Sequence, residues 1–311
     1  MRALFLLVLY AGLCYASSDS DLENMEFLMD NVLVLRMTYG VATRVNVPLK
    51  CGEAYENQPV VWKKDGEEIE PALKGNRVNV FVQEMNGGNY TCHLGPNGDY
   101  LNHTMILIQM KPDNRTVILE KQSPEQGHIH CSAPNYKGSF HCTWIKTQFR
   151  SDASVILVKA ERNLDKISCE LDADGLGIHC QDASCPYIEE QHRVVLTIYV
   201  HSVFLLEAYS KSFYLREIVR PERLPNLRFS NRKVFSWSYP DSWEKPCTYF
   251  GLEFQVKVVH KGSCDSGHHI MANTTLETKF EVNVKPSKFV FCVRAQDAHT
   301  KGPFSEWSLC T

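Results

Sequence analysis

Apolar and polar residues alternate with period two through many short segments, among them residues 78–82, Val194–Val200, Phe250–Val259 and Phe289–Ala295. That period puts successive side chains on opposite faces of an extended backbone, so each segment predicts a strand with one buried face. Turn-prone clusters separate them, such as Lys64-Asp65-Gly66, Asn86-Gly87-Gly88 and Pro96-Asn97-Gly98-Asp99. No long stretch keeps an apolar stripe through three helical turns. The pattern predicts an all-β chain of short strands arranged in sandwiches.

A length of 311 residues suggests two or three such domains. The 33 basic and 36 acidic residues nearly balance, which argues against nucleic acid as a partner. The 12 cysteines point to an oxidising compartment. Residues 1–16 read as a secretory signal peptide: Arg2 is followed by an apolar run, and Cys14-Tyr15-Ala16 offers small residues for cleavage after Ala16. Val194–Leu206, the next most apolar stretch, is too short to span a bilayer and alternates like a strand. The expectation is a secreted, extracellular product without membrane insertion. Sequons at Asn89, Asn102, Asn114 and Asn273 are candidate N-glycosylation sites. Loss of Cys14 leaves 11 cysteines, an odd number, so at least one must stay free, be capped or pair with another chain.

Cys51 is followed by Trp62 and by Cys92, with Tyr90 two residues before the second cysteine. A buried Trp against an inter-sheet Cys51–Cys92 disulfide, with a tyrosine at that offset, is the core of an immunoglobulin-like sandwich. A second block holds Cys131, Cys142-Thr143-Trp144, Cys169 and Cys180. A third follows the Pro-containing linker Arg220–Pro225; it contains Trp237-Ser238-Tyr239-Pro240 and Val293–Asp297 and ends in Phe304-Ser305-Glu306-Trp307-Ser308. Arg294 sits between inward-facing neighbours and points out of its strand, where Trp307 can stack on its guanidinium.

Two adjacent short sandwiches marked in this way are similar to the cytokine-binding module of class I cytokine receptors. With the immunoglobulin-like domain in front, the chain resembles the beta-subunit family shared by interleukin-12 and interleukin-23. Further matches are Asn135-Tyr136-x-Gly138, Cys185-Pro186, Asp241-x-Trp243 and Tyr249-Phe250. The resemblance implies a structural ladder of Arg294 with Phe304 and Trp307, in which Phe304 departs from the Trp usual at its position. The resemblance implies three β-sandwich domains: immunoglobulin-like at 17–110, fibronectin type III-like of the cytokine-receptor N-terminal type at 111–219, and fibronectin type III-like at 220–311. It implies a secreted beta subunit that binds a four-helix-bundle alpha subunit covalently at the elbow of the second and third domains. That pair would be presented to cell-surface receptors, the first domain meeting an interleukin-12 receptor beta-1-like chain. The other reading is a soluble receptor or decoy that binds a helical cytokine reversibly.

The resemblance also implies site residues. Alpha-subunit contacts would come from Tyr136, Glu189, Tyr249 and Asp297, although Asp297 can equally cap its own turn. Paired cysteines are implied in the second block, Cys131 with Cys142. Cys169 and Cys180 can pair locally, leaving Cys185 beside Pro186 for the interchain bridge; the alternative is that Cys185 pairs within the chain and another thiol is spare. Cys247, Cys264, Cys292 and Cys310 are uncertain. Cys292 and Cys310, both expected to face outward on neighbouring strands, are the favoured pair. Cys247 and Cys264 flank one strand and would lie ~40 Å apart if it is straight.

No Gly-x-Ser-x-Gly elbow, phosphate loop or His-Glu-x-x-His occurs, so the chain is not expected to be an enzyme. Histidines cluster with cysteines at His128, His130 and Cys131, at His141-Cys142, at His179-Cys180, and at Cys264 with His268 and His269. A structural zinc site wants four ligands at finger-like spacing, and these cysteines have better disulfide partners. Neither metal nor cofactor is expected. Lys211, Arg216, Arg220, Arg223, Arg228, Arg232 and Lys233 would form a sulfated-glycan patch if they shared a face, but strand alternation should divide them.

Overall fold

The computed structural model describes residues 24–38, 44–84, 86–111, 116–124, 126–183, 190–230, 233–243, 251–260, 263–265, 269–283 and 289–310. The chain divides into two compact units, residues 1–115 with 203–206 and residues 116–202 with 207–311.

The first unit is the immunoglobulin-like sandwich. Its strands are β1 (Met25–Met29), β2 (Val32–Thr38), β3 (Arg44–Lys50), β4 (Val60–Lys64), β5 (Glu67–Glu68), β6 (Arg77–Gln83), β7 (Gly88–Leu94) and β8 (Tyr100–Lys111). The order β2-β8-β7-β4-β5, with β1 on β2, makes one layer, and β3 pairs with β6 in the other. Strand β3 alternates along its length, with Val45, Val47 and Leu49 buried and the residues between them outward. The Cys51–Cys92 disulfide joins the layers. Trp62 is 1% exposed, faces Cys92 across β4–β7, and donates its indole N–H to the Gly75 carbonyl at 3.0 Å. A buried indole needs that acceptor, and the turn after β5 supplies it.

The second unit contains both fibronectin type III-like sandwiches. The first has β9 (His130–Ser132), β10 (Ser139–Thr143), β11 (Ser154–Arg162), β12 (Asp165–Lys166), β13 (Ser168–Leu171), β14 (Gly177–Gln181), β15 (Val194–Ser202) and β16 (Leu205–Phe213). The sheet β13-β14-β10-β9 faces β12-β11-β15-β16, and Phe140 meets Phe213 edge-on between them. Cys131–Cys142 and Cys169–Cys180 each tie directly opposed residues of neighbouring strands within the first of these sheets.

A short helix, α1 (Leu215–Ile218), leads to the second sandwich, of β17 (Arg228–Ser230), β18 (Val234–Ser236), β19 (Leu252–Val259), β20 (Met271–Thr275), β21 (Lys279–Glu281), β22 (Val290–Asp297) and β23 (Ser308–Cys310). Its sheets are β17-β18-β21 and β20-β19-β22-β23. Phe235 stacks on Phe291 and Trp237 meets Phe254 edge-on, joining the layers. The sequence separates these sandwiches at 219/220, yet they form one unit because the linker is itself hydrogen-bonded to both. Arg220 N–H donates to the Ala133 carbonyl at 2.7 Å, its guanidinium to the Phe304 carbonyl at 2.8 Å, and Ser308 Oγ to the Leu224 carbonyl at 2.8 Å.

Candidate functional site

The turn Asn135–Gly138, between β9 and β10, meets the turn after β22 at the junction of the two sandwiches. Asn135 is buried; its carbonyl oxygen accepts the Lys137 N–H and its amide donates to the Ser242 carbonyl, both at 2.8 Å. Tyr136 lies edge-on to Trp243, and its hydroxyl is 3.1 Å from Thr300 Oγ1. Burial pushes the Tyr136 phenol well above its ordinary value, the Thr300 hydrogen bond opposes that shift, and the Asp297 charge adds to it. The phenol is therefore a neutral donor or acceptor at any working pH. Gly302 passes close to the linker. A Cβ there would sit 3.1 Å from the Val219 carbonyl and 3.2 Å from that of Arg216, so a larger side chain would push the turn away.

Two of the expected alpha-subunit contacts are buried in the chain by itself: Tyr136 is 2% exposed and Asp297 is 1% exposed. Asp297 Oδ1 accepts the N–H groups of His299 and Thr300, each at 2.7 Å. It caps its turn, and the turn carries Thr300 to Tyr136. What lies exposed at this end is Lys137, Asp241, His299 and Lys301. Glu189, Tyr249 and Cys185 lie outside the described residues. The segment containing Cys185 is flanked by Asp182 and Glu190, and one guanidinium holds both: Arg162 is 2.8 Å from Asp182 Oδ2 and 3.2 Å from Glu190 Oε1. Glu190 also accepts the N–H groups of Leu215 and Arg216 at the start of α1. Nothing in the sequence pattern marked Arg162 or Thr300, and Trp243 was marked only as part of a motif, because their partners are far away in the chain.

The ladder is present. The Arg294 guanidinium carbon lies 4.2 Å from the Phe304 ring centre and 4.3 Å from that of Trp307, and Lys257 Nζ lies 5.2 Å from the Trp307 ring centre. Gln255 Oε1 accepts from Arg294 Nε at 2.8 Å, and Asp265 Oδ1 accepts the Trp307 indole N–H at 2.9 Å.

The expected Cys292–Cys310 pair is overturned: Cys292 is bonded to Cys264. In the β22–β23 register Cys310 stands opposite Phe291 and Cys292 opposite Leu309, so the two cysteines belong to opposite faces. Strand β22 is buried on both faces, with Phe291, Cys292 and Val293 all at 0% exposure. Cys264, in the stretch after β19, lies on the ladder face, where both cysteines pack with Val259 and Trp307. Cys310 is free among the described cysteines; Cys247 lies outside the described residues.

The basic segment does not form one patch. Lys211 donates to the carbonyls of Gln126 and Ile129, Arg216 lies over the Tyr214 ring and pairs with Glu190, and Arg220 pairs with Glu306. Arg223, Arg228 and Lys233 are exposed, and Arg232 lies outside the described residues. Among the sequons, Asn89 and Asn102 are half-buried, and the Asn102 amide donates to the Cys51 carbonyl at 2.8 Å. Asn273 is exposed, and Asn114 lies outside the described residues. No helix among the described residues is long and apolar enough to cross a membrane.

Comparison with known proteins matches this frame along most of its length. The family model described as cytokine interleukin-12p40 C-terminus matches residues 126–202. The interleukin-12 subunit beta of Sigmodon hispidus is 30% identical over 293 residues, covering 84% of this chain and 85% of the relative. That of Lama glama is 29% identical over 309 residues, covering 90% and 91%. That of Homo sapiens is 29% identical over 287 residues, covering 84% and 85%.

Proposed function

This chain belongs to the interleukin-12 subunit beta family, and on that premise we propose that it is the secreted beta subunit of a heterodimeric cytokine. It is a cytokine subunit, and its relatives are cytokine subunits rather than enzymes. Its partner is a four-helix-bundle alpha subunit seated at the junction of the two fibronectin type III-like sandwiches, and the pair is presented to cell-surface receptors. The observation that carries the reading is coverage. The similarity spans 84–90% of this chain and as much of each relative, so all three sandwiches are shared rather than one module.

The clamp of Tyr136, Trp243, Asp297 and the half-buried Thr300 fixes the angle between the sandwiches, and the exposed rim beside it makes the contact. Lys137, Asp241, His299 and Lys301 form that rim, and Glu189 and Tyr249 are assigned to the same contact on the family's pattern. A rigid platform loses little entropy on binding, which favours burying the tyrosine rather than presenting it. Cys185 forms the interchain disulfide, from a segment whose two flanks Arg162 holds. The immunoglobulin-like domain, at 17–110, engages an interleukin-12 receptor beta-1-like chain; the modules at 111–219 and 220–311 hold the alpha subunit. With Lys211, Arg216 and Arg220 engaged inside the protein, a sulfated-glycan surface is not part of this reading.

The test is co-expression with a helical-bundle alpha chain and a non-reducing gel of the secreted product. A covalent heterodimer that Cys185→Ser converts to a non-covalent one supports the assignment. A complex that is non-covalent in the unaltered protein favours the reversible soluble receptor, and a covalent species that survives Cys185→Ser removes Cys185 from its role.

A further inference from the structure

His141 and His179 each precede a disulfide-bonded cysteine, Cys142 and Cys180, that is buried, so on their strands both imidazoles face outward. The β10–β14 register sets them directly opposite each other, with ring centres 4.0 Å apart and nearly parallel. Asp172 follows β13, and its N–H donates to the Gly177 carbonyl, so the hairpin turn returns its carboxylate over the two rings. Oδ2 is 2.8 Å from His141 Nε2, and Oδ1 is 2.8 Å from His179 Nδ1. The three side chains bring their donor atoms within 4.8 Å of one another.

We propose that His141, Asp172 and His179 bind a borderline divalent transition-metal ion, of the Zn²⁺ and Cu²⁺ class, on the outer face of this sheet.

Two imidazole nitrogens and one carboxylate oxygen are a donor set that these ions favour, with further positions left to water or to a partner's side chain. The ion takes the place of the protons that the rings share with the carboxylate. Three features go beyond a chance contact. Gly177 leaves the space: a Cβ there would sit 2.2 Å from Asp172 Oδ2 and 2.8 Å from His141 Nε2. The backbone is braced on both sides, because Cys131–Cys142 ties β10 to β9 and Cys169–Cys180 ties β14 to β13. Little reorganisation is then needed to hold the ligands. Glu170 stands opposite His179 in the β13–β14 register, adding a second carboxylate to the same face. With 66% of the His179 side chain exposed, an ion reaches the site without any opening of the fold.

The experiment is titration of the full chain with Zn²⁺ at pH 7.5 against a chromophoric chelator, repeated with Cu²⁺. The expected result is one equivalent bound tightly by the unaltered protein, lost in the His141→Ala/His179→Ala double variant and weakened about 10–100-fold in Asp172→Asn. His179→Gln, at the exposed end of the cluster, gives the answer should the double variant fail to fold. Zn²⁺ should also raise the unfolding midpoint of the unaltered chain and not that of His179→Gln. No tight equivalent in the unaltered protein, or binding unchanged by His179→Gln, overturns the proposal.

Discussion

Replacing Cys264 and Cys292 together by alanine removes a cross-link that spans 28 residues. On the chain-entropy scale, releasing a loop of that length from the unfolded state costs about 3.5 kcal/mol at 25 °C. Both cysteines are buried, at 3% and 0% exposure, in a cluster with Val259 and Trp307, so losing the sulfur atoms adds a small void worth about 1 kcal/mol. The double variant should therefore lose about 4–5 kcal/mol from the second unit. Cys310→Ala, at a half-exposed thiol without a partner among the described cysteines, should stay within about 0.5 kcal/mol of the parent. Urea unfolding followed by tryptophan fluorescence reads both, because Trp307 packs against this disulfide. The denaturant slope should rise in the double variant as its unfolded state expands. A non-reducing peptide map of the unaltered protein provides an independent check. A Cys292–Cys310 peptide in that map, or a Cys310→Ala variant as destabilised as the double one, would refute the assignment.

Arg294→Ala loses both ring contacts and its bond to Gln255, and should lower second-unit stability by about 1–3 kcal/mol; an unchanged urea midpoint would mean that the ladder carries no stability. Burial holds His128 and His130 below the ordinary histidine value, helped by Lys121 beside the first and by Lys211 and Arg220 beside the second. The unfolded chain then binds these protons first as pH falls, so their contribution is whole above about pH 6.5 and is lost on acidification through the lowered folded values. The His128→Gln/His130→Gln variant should show a shallower fall of urea midpoint between pH 7 and pH 5, and an equally steep fall would rule the pair out as its source.

Strand identity was readable from the chain because alternation reflects the pleat, which involves only neighbours in sequence. Val194–Ser202 shows it directly, with every second residue from Val194 to Ser202 buried. The immunoglobulin-like core was readable for a similar reason: one tryptophan and two cysteines at suitable offsets leave few ways to close a sandwich around them. Tyr136 and Asp297 were recognisable as special positions, but not as buried ones: Tyr136 is covered by Trp243 and Thr300 of the other sandwich, and Asp297 is engaged by the N–H groups of its own turn. Alternation placed Cys292 outward, which holds only where nothing covers the outer face; here Cys264 does, and a strand buried on both faces looks like a one-sided strand in sequence. Pairing register decided the rest. A one-residue offset separates Cys292 from Cys310, and the same kind of register brings together His141, Asp172 and His179, whose spacing along the chain matches no ligand motif. Periodicity is a property of the local backbone and is written in the sequence, whereas register, coverage and the meeting of distant turns arise only when the sheets pack.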